Sequence, residues 1–201
     1  MKILLALSLL LAAGTLTAEA NPRALLDDFA RDLESLSGEF SQTTLAENGR
    51  VSESSRGRLF YQRPDRFRWS YDEPFPQEMV ADGGRLWHFD ESLDQVTVRE
   101  QPSAAESPLL VLTRPELLDR FYQVEPGDAP DQLGFRPLAE AAEFERATLF
   151  FRDGLPWALE LLDSFGQLTR IELFDLERNP TLDPALFEFE VPAGVDVLEG
   201  Y

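Results

Sequence analysis

From Gly38 to Glu100 the side chains change character at every second residue, and turn residues interrupt that alternation at short intervals. A period of two is what a strand needs when one face is buried and the other is wet. Between positions 66 and 71, Phe67, Trp69 and Tyr71 point one way, and Arg66, Arg68 and Ser70 the other. Glu47-Asn48-Gly49, Arg63-Pro64-Asp65 and Asp82-Gly83-Gly84 are turn signals. The pattern predicts strands over 39–46, 51–62, 66–71, 77–81, 85–89 and 94–100, an antiparallel meander. The period breaks between 102 and 120. Strands are predicted again over 121–124, 134–138, 146–152, 157–163 and 168–176, with a last short segment at 184–191.

Two stretches depart from the period of two. Leu25, Leu26, Phe29, Leu33 and Leu36 recur at helical spacing, with Pro22 in the first turn and Ser37-Gly38 as a stop. This predicts an amphipathic helix that covers the sheet. The second stretch holds Leu109, Leu110, Val111 and Leu112 between Pro108 and Pro115, followed by Leu117 and Leu118. The prolines divide it into two short helices. The first, 109–113, is apolar on nearly every side and needs cover on more than one face, the composition of a lid over an apolar pocket. The chain therefore reads as mainly β with helices: about ten or eleven strands in a curved antiparallel sheet, covered by an N-terminal helix and a helical insert. Trp69, Trp87, Trp157 and fifteen phenylalanines supply apolar walls.

Composition narrows the function. Hydrophobic residues make up 43% of the 201, enough for a real core in one domain. Acidic residues outnumber basic ones 37 to 18, and the net charge of -19 argues against nucleic acid and against standing attachment to an anionic membrane. No cysteine is present, so disulfides, thiolate metal sites, cysteine nucleophiles and lipid attachment through cysteine are excluded. Met1-Lys2, the apolar run from Ile3 to Ala13 and the small-x-small triplet Ala18-Glu19-Ala20 have the form of a secretory leader. The expectation is a cleaved segment 1–20 and a single exported domain 21–201.

Catalytic signals are sparse. His88 is the one histidine, between Trp87 and Phe89, with Asp82 and Asp90 close by in sequence. A secreted hydrolase would have to use these three groups, yet no serine sits in a nucleophile elbow. The acidic pairs lack metal-loop spacing. Neither an enzyme, a cofactor nor a metal is expected.

One ordered string of local patterns carries a resemblance. It comprises Phe40-Ser41-Gln42, the run from Gly57-Arg58-Leu59-Phe60-Tyr61 through Arg63-Pro64 to Trp69, then Glu73-Pro74, Val80-Ala81-Asp82-Gly83, Leu86 to Asp90 and Gln95-Val96. It closes on Phe187 to Gly194. The chain resembles the outer-membrane lipoprotein carrier family, the LolA-like proteins of Gram-negative periplasms. The resemblance implies an unclosed antiparallel β-barrel with a helical lid, and a cavity for lipoprotein acyl chains. It implies a periplasmic monomer that takes acylated lipoproteins from an ATP-driven transporter in the inner membrane and hands them to a receptor lipoprotein at the outer membrane. Leu25, Phe29, Leu59, Tyr61, Phe67 and Trp69 are the expected cavity residues. Arg63 matches the family's latch arginine, with Leu109, Leu110, Leu112 and Thr113 as the lid it holds. A sensor of mislocalised lipoproteins in an envelope-stress pathway would share this fold; such sensors are longer and carry a second domain.

Overall fold

The computed structural model describes residues 21–101, 113–139, 142 and 144–200. The proposed leader and the lid residues Leu109, Leu110 and Leu112 lie outside them.

Helix α1 spans Pro22–Ala30. Asn21 caps it, its side-chain oxygen accepting from the amides of Arg23 and Ala24. Leu26, Phe29 and Ala30 are its buried residues. The helix is shorter than the leucine spacing predicts. Arg31 is already extended, and Asp32 turns the chain with φ 54°. Leu33 is buried in the loop, and Leu36 on the first strand. The amides of Glu34 and Ser35 donate to Oδ1 of Asn179, which anchors the exit from the helix to the end of the neighbouring strand, 145 positions away in sequence from Glu34.

Twelve strands form one sheet. They are β1 Ser35–Leu45, β2 Val51–Gln62, β3 Arg66–Glu73, β4 Gln77–Ala81, β5 Arg85–Asp90, β6 Gln95–Glu100, β7 Tyr122–Pro126, β8 Gln132–Pro137, β9 Arg146–Arg152, β10 Leu155–Leu162, β11 Leu168–Arg178 and β12 Asp196–Glu199. Their order is β12-β6-β5-β4-β3-β2-β1-β11-β10-β9-β8-β7, so β1 joins the two meanders by pairing with both β2 and β11. β7 and β12 are the two edges, and the sheet does not close on itself.

The C-terminal part adds to the sequence reading. The short segment at 184–191 begins with a 3-10 turn, Pro184–Phe187, capped by Asp183 on the amide of Ala185. The twelfth strand follows it. β12 pairs in parallel with β6, Asp196 opposite Gln95 and Glu199 opposite Val98. Its four residues are all exposed, so no alternation of burial marks it.

One face of the sheet carries the core. Leu59, Trp69, Phe40, Leu173, Ile171, Leu159, Leu149 and Phe135 are buried there with Leu26 and Phe29 of α1. A 3-10 turn, Pro115–Leu117, leads into a short helix α2, Leu118–Phe121, whose Leu118 is fully buried in the same cluster. Arg23 of α1 holds this pair of turns. Its guanidinium donates to both carboxylate oxygens of Asp119 at 3.0 and 3.1 Å and to the carbonyl of Pro115 at 3.2 Å.

Candidate functional site

The register of β1 to β6 lays the inner face out in three cross-strand rows. One runs Leu36, Tyr61, Phe67, Ala81, Leu86, Arg99. The next runs Gly38, Leu59, Trp69, Met79, His88, Thr97, and the third Phe40, Gly57, Tyr71, Gln77, Asp90, Gln95. Each row is apolar near β1–β3 and becomes polar toward β5 and β6. Antiparallel neighbours directly opposite share a face, so these rows are contiguous surface.

The six expected cavity residues are brought together here. Leu59, Tyr61, Trp69 and Phe29 are buried in one cluster, and Leu25 and Phe67 pack against it, half-buried. Phe40 and Trp69 stack at 4.1 Å between ring centroids, and Tyr71 meets Phe40 edge-on at 5.2 Å. Phe40 and Tyr71 were missing from the expected set, although Phe40-Ser41-Gln42 belongs to the recognisable string and Tyr71 continues the alternation from Phe67. Burial raises the pKa of Tyr61, Tyr71 and Tyr122, so three phenols of this wall stay neutral well above physiological pH.

Only one tryptophan belongs to this wall. Trp87 is on the opposite face, where it stacks on Phe189 of the C-terminal segment at 5.6 Å. Trp157 is also outside, beside Phe150 and under the guanidinium of Arg152 at 4.0 Å. Alternation assigns residues to two faces but does not say which face is inner. The outer aromatics are covered by arginines and by the chain's own C-terminal segment. A hollow of about 320 Å³ on that outer side has a mixed lining, with Arg58, Arg68, Glu78 and Asp183 beside Phe60 and Leu186.

The insert returns to view at Thr113, which is buried. Its hydroxyl bonds the phenol of Tyr61. Arg63 lies beside this junction. Its Nε donates to the carbonyl of Leu33 at 2.9 Å, and its amide donates to the carbonyl of Glu34 at 2.8 Å. Partial burial works against the Glu116 carboxylate, but a hydrogen bond from Arg114, its own backbone amide and the charges of Arg114 and Arg63 hold its pKa below the usual value. Arg63 is thus tied to the loop after α1 and lies within electrostatic reach of the root of the insert.

The hydrolase constellation is not assembled. Asp82 accepts from the amides of Gly84 and Arg85 and from Nε1 of Trp87. Asp90 accepts from the amides of Ser92 and Leu93. His88 faces the inner row and meets Gln77 at 3.2 Å, not either aspartate. Among the described residues no group of three His, Asp or Glu is placed to hold a metal ion.

Asp82 is instead a turn anchor, and it gives a measurable pH dependence. Slight burial opposes its charge, yet the hydrogen bonds from Arg85, Trp87 and Gly84 lower its pKa below the ordinary value. A lowered folded-state pKa stabilises above the unfolded value and is lost as pH falls through the folded one. Asp82→Ala should therefore lose roughly 1 kcal/mol at pH 7, read as a lower urea midpoint. The gap to the unaltered protein should close as the pH is taken below the ordinary carboxylate range. An equal gap at both pH values would show that the carboxylate charge is not what holds the turn.

The fold and inner face define a class: an open, almost wholly antiparallel sheet with helices over one face, a buried apolar wall on that face and no assembled catalytic group among the described residues. The family model described as "Outer membrane lipoprotein carrier protein LolA" matches residues 31–190. An outer-membrane lipoprotein carrier protein of Halorhodospira halophila is 43% identical over 196 residues, covering 98% of this chain and 93% of that one. The protein of the same description from Alkalilimnicola ehrlichii is 44% identical over 201 residues, with the same coverage. A solved structure of an uncharacterized conserved protein from Thermus thermophilus shares the fold, with a TM-score of 0.57 at 14% identity over 89% of this chain and 98% of that one. The chain belongs to the outer-membrane lipoprotein carrier family.

Proposed function

We propose that this protein carries lipoproteins through the periplasm by sheltering their acyl chains against the inner face of the sheet. The observation that supports it is the continuous apolar wall of Leu59, Tyr61, Phe67, Trp69 and Phe40 in a chain of the carrier family. An acylated lipoprotein cannot cross water with its chains exposed. Shielding each CH₂ is worth about 0.8 kcal/mol, so covering ten is worth roughly 8 kcal/mol. No chemistry is required. The task calls for an apolar surface, a movable cover and an affinity low enough to let go.

In this reading residues 1–20 direct export and are removed. Leu25 and Phe29 of α1 cover one part of the wall, and the insert with Leu109, Leu110, Leu112 and Thr113 covers the other. Cargo enters when the insert swings away. An ATP-driven transporter in the inner membrane supplies the loading energy, the carrier works as a monomer, and a receptor lipoprotein at the outer membrane takes the cargo. Native mass spectrometry of the protein purified from periplasm should find acylated protein bound. Fluorescence places the site. With Trp87 and Trp157 both changed to phenylalanine, only Trp69 emits, and adding a diacylated lipopeptide should shift its emission. Unchanged emission at saturating lipopeptide would put the cargo elsewhere.

A further inference from the structure

A polar island borders the apolar part of the inner wall beyond the Phe40–Gly57 pair. Gln42 and Ser55 face each other across β1 and β2, two residues along from the Phe40–Gly57 pair. The Tyr71 hydroxyl donates to Oε1 of Gln42 at 3.2 Å. Next to these lie two donors that the wall leaves unused. Ser55 is 7% exposed, and its buried hydroxyl has no hydrogen-bond partner among the described residues. Trp69 is 3% exposed, and among the described residues its buried Nε1–H makes no hydrogen bond of full geometry, its one nearby acceptor being the Tyr71 phenol, whose pKa it lowers as a weak donor.

Buried donors are rarely left unpaired, because each forfeits its bond to water and regains nothing. Two of them on one apolar wall, flanking a phenol and an amide, ask for acceptors brought by a guest. The electrostatics say which kind. Tyr71 feels the charge of Glu53, which raises its pKa together with the larger effect of burial. A negative charge already bears on the island, so an anionic guest such as a phosphate or a free carboxylate is disfavoured. A neutral acceptor is not.

We infer that Trp69 Nε1–H and the Ser55 hydroxyl form a station for ester carbonyl oxygens, which receives the ester linkages of a diacylglyceryl cargo and fixes how deeply its chains enter. This rests on the carrier reading above. It adds selectivity: the wall would recognise esterified acyl chains rather than hydrocarbon alone. Tyr71 and Gln42 are positioning residues that hold the island's shape.

The test compares two lipopeptides that differ only in the linkage, diacylglyceryl-cysteinyl and dialkylglyceryl-cysteinyl, the second having ethers in place of esters. The unaltered protein should bind the ester form about tenfold more tightly, the effect of two added hydrogen bonds. Ser55→Ala should reduce the preference to about threefold, and Ser55→Ala with Trp69→Phe should abolish it, the readout being the ratio of the two affinities within each variant. The first comparison needs no substitution, so a poorly folding variant cannot mask it. Equal affinity for both linkages in the unaltered protein overturns the station. A preference that survives in the double variant overturns its assignment to these residues. If neither lipopeptide binds, it is the carrier reading that fails, and the station falls with it.

Discussion

Alanine at position 57 is expected to leave the protein without a stable fold. Gly57 sits where β2 passes between Phe40 of β1 and Tyr71 of β3, beside an irregularity in the register at Arg56. A Cβ there would lie 1.8 Å from the carbonyl oxygen of Ser70 and 2.9 Å from the Phe40 ring. The first obstacle is backbone, which cannot rotate aside as a side chain does. Relief requires β3 to move away from β2, and that breaks the ladder under the Phe40–Trp69 stack. Overpacking of this kind destabilises by about 3 kcal/mol or more, a large part of the roughly 5–15 kcal/mol that holds a domain folded. Gly154 is the control. Its φ is 79° but nothing lies within 4 Å of an added Cβ, so Gly154→Ala should lose only about 1 kcal/mol through backbone strain. Urea unfolding followed by circular dichroism separates the two. Equal midpoints for both variants would mean that the strands can part at Gly57 without consequence.

The same residues show what a sequence of this kind discloses. The strands around Gly57 were legible because burial on one face writes a period of two, and Phe67, Trp69 and Tyr71 carry it plainly. That the face is inner for Trp69 but outer for Trp87 was not legible. The distinction rests on the C-terminal segment, which returns to lay Phe189 over Trp87. The end of α1 was misread for a related reason. Leu33 and Leu36 continue the helical spacing, yet the chain leaves the helix at Arg31 and Asp32, where Asn179, 145 positions from Glu34, caps the exit. Local periodicity cannot register a partner so distant. β12 escaped because four exposed residues on a sheet edge need no alternation. The turn at Pro184–Phe187 does carry a local signal, since Asp183-Pro184 is a helix start. The expected cavity residues were chosen through alternation and family resemblance together, and the fold gathers them in and around one buried cluster. The polar island was not, because nothing in Gln42 or Ser55 alone says that neighbouring donors go unpaired.

Arg63→Leu should load cargo normally and fail to hand it over. In the carrier reading proposed above, Arg63 stands between two parts that separate when the wall opens. Through Nε it holds the carbonyl of Leu33 at the foot of α1, with the Glu34 carboxylate 3.7 Å away. On its other side are Tyr61 and Glu116, both of which feel its charge, and Tyr61 bonds Thr113 at the end of the insert. A guanidinium has five donors in a fixed fork, enough to keep one carbonyl of the α1 loop while taking carbonyls of the insert. The last carbonyls of a short helix lack partners within it, and they are what the fork would hold in the closed state. Bound lipid and closed insert exclude each other in this scheme, so every contact that stabilises closure weakens retention and favours release. Leucine keeps the bulk and removes the donors. A shift of about 1.4 kcal/mol toward the open state tightens retention up to tenfold, and transfer slows by the same factor. Arg63→Lys keeps the charge without the fork and should fall between the two. The measurement is transfer of a labelled lipoprotein from purified carrier to purified receptor, with cargo affinity determined alongside. Unaltered affinity and unaltered transfer in Arg63→Leu would reduce Arg63 to a brace between α1 and β2.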